Sequence, residues 1–250
     1  MSMTIFYFSA TGNSLTTAEL LAKELEAELI PAASTKHLSK VTVTTDAVGF
    51  VFPVYYGDMP YPVREMIAKT VFQPDSYVFI CTTQRGHAGA AAKRMDQLLR
   101  TRGQKLSLSV GVMMPGNSFI NEPEVDAKYL AEQETTVKAL IPRIVNRETE
   151  DHTTTELLPL MPVASPNNFR GITADEKCVG CGICTKVCPM ENIVIRDGHA
   201  VIEDDCSTCL ACFHWCPTEA IWMSRQENIA RRSKYHHPAV TMEKIADQKK

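Results

Sequence analysis

The chain has 250 residues, 44% of them hydrophobic and 22% charged, which is typical of a folded protein with one sizeable core and a small second domain. Its formal net charge of −3 argues against a general nucleic-acid-binding protein. There is no basic leader followed by a long apolar run, and apolar stretches such as Ala47 to Phe52 are too short to cross a bilayer. We therefore expect a cytoplasmic protein without a membrane anchor.

The first 147 residues alternate between strand-like and helix-like segments. Apolar runs predict five strands, at residues 3–8, 28–32, 47–52, 77–82 and 106–114. Periodic apolar residues predict helices from about residue 15 and over 61–70, 88–102 and 124–146. This alternation predicts an α/β fold, a doubly wound parallel five-stranded sheet with helices on both faces. In such sheets ligands bind beyond the carboxyl ends of the strands, at the switch point between the first and third strands.

The loop after the first predicted strand has the composition of an anion site. It reads Ser9-Ala10-Thr11-Gly12-Asn13-Ser14 and leads directly into a helix. Backbone N–H groups and the dipole at a helix start favour an anion, and hydroxyl groups add neutral donors. The sequence contains neither G-x4-G-K-[ST] nor G-x-G-x-x-G, which argues against a nucleoside triphosphatase and a dinucleotide site. A loop without a cation suits a phosphate monoester, although a hydroxyl-rich helix cap occurs in many folds.

The loops after the third and fourth predicted strands carry groups suited to a planar ring. Two adjacent tyrosines at the edge of a sheet are poorly explained as core, and an aromatic face can stack on a flat ligand. The alternative is that one tyrosine only anchors its loop. The candidate residues in these two loops are Pro53, Tyr55, Tyr56, Gly57, Thr82, Thr83, Arg85, Gly86 and His87.

Together the three loops resemble the flavodoxin family. Its phosphate loop has the form [ST]-x-T-G-x-[ST], which is matched by Ser9, Thr11, Gly12, Asn13 and Ser14. Ala10 stands where that family often has a hydroxyl residue. The resemblance implies the strand order 2-1-3-4-5 and an FMN cofactor. It further implies that Tyr56, with Tyr55 second, stacks on the flavin and that the Gly57 carbonyl can turn toward the flavin ring.

The third loop departs from the flavodoxin pattern. Flavodoxins commonly place acidic residues there, and a negative field opposes the reduction of a flavin to an anion. This chain has Arg85 and His87 instead. Because a nearby cation stabilises an anion, we expect a flavin that is easier to reduce, unless both side chains face solvent.

Eight of the nine cysteines form two copies of C-x2-C-x2-C-x3-C-P, displaced by 28 residues. Three thiolates two residues apart can reach one cubane from a tight loop, and in this bacterial run the fourth cysteine ligates the other cluster. The spacing therefore predicts two [4Fe-4S] clusters. One would be held by Cys178, Cys181, Cys184 and Cys216, and its twin by Cys206, Cys209, Cys212 and Cys188.

Structural zinc and disulfides are the alternatives for these cysteines. Zinc sites use two separated cysteine pairs, so a third cysteine two residues further on would be superfluous. Disulfides need an oxidising compartment, for which the sequence gives no indication. Residues 173–224 resemble a bacterial two-cluster ferredoxin domain and match all eight of its ligand positions.

The remaining segments complete a predicted domain order. Residues 1–147 form the flavodoxin-like domain, 148–172 a linker rich in Thr and Pro, 173–224 the ferredoxin-like domain and 225–250 a basic tail. The tail has seven basic and three acidic residues, so it carries +4 and leaves −7 on the rest of the chain. It is either solvated or packed against an acidic face of this chain or of a partner.

As a whole, the chain resembles flavodoxin–ferredoxin fusion proteins of anaerobes. The resemblance implies an electron-transfer iron–sulfur flavoprotein that connects a low-potential donor, two clusters, FMN and an acceptor, with a redox protein as partner. The alternative is a ferredoxin-dependent reductase whose flavin acts directly on a small substrate, with Tyr55, Tyr56 or His87 as proton donor.

Overall fold

A computed structural model describes residues 2–118, 122–153, 171–223 and 233–250 of the chain. Most of the predicted linker and the first residues of the predicted tail lie outside these ranges. No helix in the described ranges is both long enough and apolar enough to span a bilayer.

A parallel five-stranded sheet forms the centre of the N-terminal part. Its three central strands are almost wholly buried apolar segments, as expected for a sheet covered on both faces, whereas the edge strand Glu28–Pro31 is only partly buried. In chain order they are β1 (Met3–Tyr7), β2 (Glu28–Pro31), β4 (Ala47–Pro53), β6 (Tyr77–Gln84) and β7 (Leu108–Met113). The observed order is β2-β1-β4-β6-β7, which confirms the predicted order 2-1-3-4-5.

Two pairs of helices cover this sheet. They are α1 (Asn13–Leu25), α2 (Tyr61–Ala68), α3 (Ala91–Arg100) and α4 (Pro123–Val145). Helix α1 packs against α4, and α2 packs against α3. Both α2 and α4 have a proline in the first turn, where its missing N–H costs no helical hydrogen bond.

A short parallel ladder beside the main sheet was not predicted. It pairs β3 (Val41–Val43) with β5 (Thr70–Phe72). The second predicted helix therefore ends at Ala68, earlier than expected, because the β-branched residues that follow pair with β3.

The C-terminal part is a small α+β unit with a core of its own. Its elements are β8 (Ile172–Ala174), α5 (Ile183–Val187), β9 (Ile193–Arg196), β10 (His199–Ile202), α6 (Ala211–His214) and β11 (Ile221–Met223). The last helix, α7 (Met242–Ala246), contributes Ile245 to the core of the N-terminal part instead. Two antiparallel ribbons, β9 with β10 and β8 with β11, enclose a cluster of buried residues that includes Cys184, Cys188 and Cys212.

The described end of the chain packs against the N-terminal part. The Gln248 side chain, only 3% exposed, accepts a hydrogen bond from the Ser9 N–H and donates one to the Ser9 carbonyl, at 2.9 and 2.8 Å. The His237 N–H donates to the Thr11 carbonyl at 2.7 Å. Lys244 forms an ion pair with Glu19 at 2.8 Å. Of the alternatives considered for the basic tail, packing on the same chain is the one that residues 233–250 show, and most of the contacts are uncharged.

Candidate functional site

A cavity lies at the carboxyl edge of the five-stranded sheet, where three loops meet. The structure brings nine of the fourteen residues predicted for the FMN site around it, so the three loops line one cavity. These nine are Ser9, Thr11, Asn13, Ser14, Pro53, Tyr55, Tyr56, Thr83 and Arg85.

The loop before α1 is fixed by its own hydrogen bonds. Gly12 adopts a left-handed conformation with φ of 102°, and its N–H donates to the Ser9 hydroxyl at 3.0 Å. The Asn13 side-chain amide donates to the Pro115 carbonyl at 2.9 Å. The Ser14 and Thr83 hydroxyls lie 2.7 Å apart. These bonds hold the hydroxyl groups of two strand ends at the same corner of the cavity.

A tight turn presents the two tyrosines. Tyr55 and Asp58 exchange backbone hydrogen bonds of 3.0 Å, and Tyr56 and Gly57 between them have φ values of 52° and 75°. Positive φ at both central residues is the pattern of a type I′ turn, which favours glycine at the second position. The Asp58 carboxylate accepts hydrogen bonds from Arg64 and Arg94, each at 2.7 Å. This buried ion-paired carboxylate fixes the turn.

Five of the predicted residues do not line the cavity. Three of them, Gly12, Thr82 and Gly57, turn toward protein: Gly12 faces His237 and Val240, and Thr82 is buried in β6. The Gly57 carbonyl accepts a hydrogen bond from the Ala90 N–H at 2.9 Å, so turning it toward a flavin would require breaking that bond.

Gly86 and His87 belong to an exposed stretch of the third loop. The His87 Nδ1 accepts a hydrogen bond from the Gly89 N–H at 3.1 Å. Of the two cations that depart from the flavodoxin pattern, Arg85 is the one that lines the cavity.

The eight motif cysteines surround two further cavities. One is lined by Cys178, Cys181, Cys184 and Cys216, and the other by Cys188, Cys206, Cys209 and Cys212. These are the two crossed sets that the spacing predicts. We name the first the outer site, because Cys181 is exposed, and the second the inner site, because Cys188, Cys209 and Cys212 are buried.

The two halves of the motif share a backbone conformation. Residues 28 positions apart have matching positive φ values: 65° and 56° at Gly180 and Thr208, and 76° and 63° at Gly182 and Leu210. The final cysteines are also equivalent, since the Asn192 N–H donates to the Cys188 Sγ at 3.4 Å and the Ala220 N–H to the Cys216 Sγ at 3.3 Å. The sequence duplication is therefore a structural duplication.

The geometry of the cysteines fits clusters better than the alternatives. All nine cysteines lie in the described ranges and none forms a disulfide. Among the described residues, no three Cys, His, Asp or Glu side chains are grouped so that they could hold a single metal ion. Four cysteines around an otherwise apolar cavity suit a cubane with one thiolate on each iron.

Burial sets the protonation of the inner cysteines before iron binds. Desolvation raises the pKa of the Cys209 thiol to about 12 and that of Cys206 to about 11. At Cys188 burial also raises the pKa, whereas backbone N–H groups of Asn192 and Met190 and the charges of Lys249 and Lys36 lower it. Iron binding at the inner site must therefore displace protons.

The inner site forms one wall of the cavity at the sheet edge. Thr208 and Leu210, on either side of Cys209, line that cavity. The Asn117 side-chain amide donates to the Cys209 carbonyl at 3.2 Å, and the Tyr55 hydroxyl donates to the same carbonyl at 3.4 Å. The predicted stacking loop and the inner cysteine loop are thus in direct contact.

Sequence reasoning missed part of this cavity. The lining residues that were not among the fourteen candidates are Ala10, Val54, Gln84, Met114, Pro115, Gly116, Asn117, Ser118, Thr208 and Leu210. The Gly-Asn-Ser composition after the fifth predicted strand is typical of a loop, but it does not show whether that loop contacts the flavin site or the ferredoxin-like domain. Thr208 and Leu210 occupy positions between the cysteines that the motif leaves unspecified. Comparing the two repeats would have pointed to them, because the first repeat has glycine at both positions.

The donor set of the cavity suits FMN. Hydroxyl groups of Ser9, Thr11 and Ser14 lie at the end beside the start of α1, where a helix favours a phosphate. Tyr55 and Tyr56 supply aromatic surface at the middle strand. Arg85 is the only Lys or Arg among the described residues that line the cavity.

Comparisons with known proteins match two separate parts of the chain. Residues 4–121 match the family described as "Flavodoxin domain", and residues 177–221 match "4Fe-4S dicluster domain". A ferredoxin from Methanothermococcus thermolithotrophicus is 44% identical over 55 residues, which make up 20% of this chain and 92% of that protein. The ketoisovalerate oxidoreductase subunit VorD of Pyrococcus furiosus is 41% identical over 68 residues, or 26% of this chain and 65% of that subunit.

The structure of a flavodoxin from the domain Archaea has 16% sequence identity to this chain and a TM-score of 0.37. The comparison covers 58% of this chain and 99% of that one. The two matched domains imply FMN and two [4Fe-4S] clusters as the cofactors.

Proposed function

We propose that this chain, which belongs to the 4Fe-4S dicluster ferredoxin family and carries a flavodoxin domain before it, passes electrons between a low-potential donor, two [4Fe-4S] clusters, FMN and an acceptor. When bound, each cluster exchanges one electron and the flavin one or two, so the protein links single-electron and two-electron chemistry. We further propose that it acts in the cytoplasm with a redox protein as partner.

The single observation that supports this proposal best is the shared wall between two cofactor sites. Leu210 lines both the sheet-edge cavity and the inner cysteine cavity. Asn117 and Tyr55 hydrogen-bond the Cys209 carbonyl from the opposite side. A cluster and a flavin in these cavities would be neighbours across one layer of side chains.

The residues divide the work of holding the cofactors. We propose that Ser9, Thr11, Asn13 and Ser14 bind the FMN phosphate and that Tyr56 contacts the flavin ring. The two crossed cysteine sets hold the clusters, with the outer site toward solvent and the inner site shielded from water. Val179, which is 67% exposed and lines the outer cavity, marks the side from which a partner protein can approach.

A reductase acting on a small substrate is the second candidate, and the contacts of two of its three proposed proton donors count against it. The Tyr55 hydroxyl donates to the Cys209 carbonyl, and His87 does not line the cavity. Tyr55 and Tyr56 both line the cavity, but among the described residues a hydrogen bond of the hydroxyl is found for Tyr55 and not for Tyr56. Tyr56 is therefore the proton-donor candidate that these contacts leave open. These contacts favour the electron carrier.

Anaerobic purification with iron, sulfide and flavin analysis tests the proposal. We expect about eight irons and one FMN per chain, and reduction of the bound flavin by a reduced ferredoxin. Zinc without flavin would overturn the proposal. Turnover of a small acceptor by the isolated chain would favour the reductase instead.

A further inference from the structure

Among the described residues, the two cysteine repeats differ at two of the three positions where both have a left-handed backbone. The first repeat has Gly180 and Gly182 there, and the second has Thr208 and Leu210. Gly182 has φ of 76° and ψ of 3°, and Leu210 has φ of 63° and ψ of 14°. A bulky residue in this conformation is an outlier, because its Cβ crowds the backbone and costs free energy that glycine avoids.

Space alone does not explain this difference. A Cβ at Gly180 would lie 2.5 Å from the Gly198 carbonyl oxygen, so only glycine fits there. A Cβ at Gly182 would have one neighbour, the Thr185 hydroxyl at 3.8 Å, so a side chain would fit at this position of the first repeat. Glycine there matches the backbone conformation, and leucine at position 210 contradicts it.

At these two positions the strained residues are the ones that face the sheet-edge cavity, whereas Glu191 and Glu219, which also share a positive φ, do not line it. Leu210 and Thr208 are 3% and 8% exposed and both line it, whereas Gly180 and Gly182 do not. Leu210 also lines the inner cysteine cavity, together with Cys209 and Cys212. Backbone strain that persists at a site indicates that the side chain held there has a role.

We propose that Leu210 and Thr208 are positioning residues that form the apolar wall between the inner cluster and FMN, and that this wall is the reason for their strained backbone. The wall fixes the depth at which the flavin sits and excludes water from the space between the two cofactors. This inference rests on the proposed function, since it requires that FMN bind in the sheet-edge cavity.

Substitution with glycine tests the wall, because glycine relieves the strain and removes the side chain together. In Leu210→Gly we expect both clusters to assemble, the Kd for FMN to rise about tenfold through lost apolar contact, and electron transfer from clusters to bound flavin to slow. Leu210→Met, which restores an apolar side chain of similar volume, should return the affinity to that of the unaltered protein. FMN titration of flavin-depleted protein with its clusters intact measures the effect.

Asp197→Gly is the matched control. Asp197 also has positive φ, 49°, but it is exposed in the turn between β9 and β10 and lines neither cavity. It should leave the FMN affinity unchanged. If Leu210→Gly assembles too little cluster to measure, Thr208→Gly replaces it, because the Thr208 hydroxyl bonds only the neighbouring Ser207 carbonyl among the described residues.

Two outcomes would overturn the inference. One is unaltered FMN affinity and transfer rate in both glycine variants with clusters intact. The other is a loss of affinity in Asp197→Gly equal to that in Leu210→Gly. Failure of the proposed function is recognised separately, since the unaltered protein would then bind no FMN or would lack about eight irons.

Discussion

The two cysteine repeats share a backbone but lie in different surroundings. The first repeat carries Val179 and Cys181 at the surface, and the second places Cys209 and Leu210 against the flavodoxin domain. A duplicated unit has thus acquired an outer and an inner face without losing its internal symmetry. The pattern of ligands therefore determines where the clusters form, whereas the residues between the cysteines determine what each cluster faces.

Removal of a crossed ligand should have the largest effect on the difference between the inner and outer sites. In Cys188→Ala we expect loss of the inner cluster, because Cys188 lies in the first repeat but lines the inner cavity. Iron analysis should show about half of the iron lost, and the EPR spectrum should match that of Cys209→Ala rather than that of Cys181→Ala. A match to Cys181→Ala would mean that each repeat ligates its own cluster.

The C-terminal segment ties the two domains at adjacent residues. Gln248 pairs with the Ser9 backbone, and the Lys249 ammonium donates to the Thr185 carbonyl at 3.0 Å. Gln248→Ala leaves the buried N–H and carbonyl of Ser9 without these partners, which costs about 1–3 kcal/mol. We expect the Kd for FMN to rise about tenfold in titrations, whereas Lys250→Ala should leave it unchanged. Equal affinities would show that the segment does not order the phosphate loop.

Lys36 and Lys249 act electrostatically on Cys188 of the inner site, whereas Lys234 acts on both sites through Cys216 and Cys212. The Lys36 ammonium donates to the Met190 carbonyl and the Lys249 ammonium to the Thr185 carbonyl, and both charges act to lower the pKa of the Cys188 thiol. Asp205 and Glu191 oppose them in part, since Glu191 lies 3.9 Å from Lys36. Because a reduced cluster carries one more negative charge, we expect these lysines to raise the potential of the inner cluster and to bias electrons toward the flavin.

Removal of those charges should narrow the difference between the clusters. In the double variant Lys36→Met/Lys249→Met, EPR-monitored redox titration should show the potential of the higher-potential couple falling by about 59 mV. For a one-electron couple this shift changes the equilibrium constant for electron exchange between the two clusters about tenfold. The arginine versions and Lys244→Met, in the same C-terminal segment, should keep the original potentials. Equal shifts of both couples would contradict this interpretation.

The smallest expected effect is at Arg85. Arg85 lines the cavity but is exposed, so water and salt screen its charge and weaken the stabilisation that it gives to a reduced flavin. Arg85→Glu should lower the flavin potential, with His87→Glu, outside the cavity, as the matched control. Potentiometry that shows no fall in Arg85→Glu would remove the electrostatic role of the third loop.

Local patterns carried the fold and much of the site. The alternating strands and helices, the hydroxyl-rich loop and the crossed cysteine sets follow from periodicity, motif chemistry and spacing, which are readable over a few residues, whereas the strand order was implied by the resemblance to flavodoxins. The contact of Gln248 with Ser9 spans 239 positions and involves a common amide, so no local pattern could indicate it. The role of Leu210 was not predicted, because the motif specifies the cysteines and accepts any residue between them.

Pulsed EPR tests most simply whether the inner cluster is the one that exchanges electrons with FMN. The measurement is the magnetic coupling between one-electron-reduced flavin and a reduced cluster in Cys181→Ser and Cys209→Ser, which alter the outer and inner sites respectively. We predict that strong coupling persists in Cys181→Ser and disappears in Cys209→Ser. Strong coupling that persists in Cys209→Ser and is lost in Cys181→Ser would contradict the account.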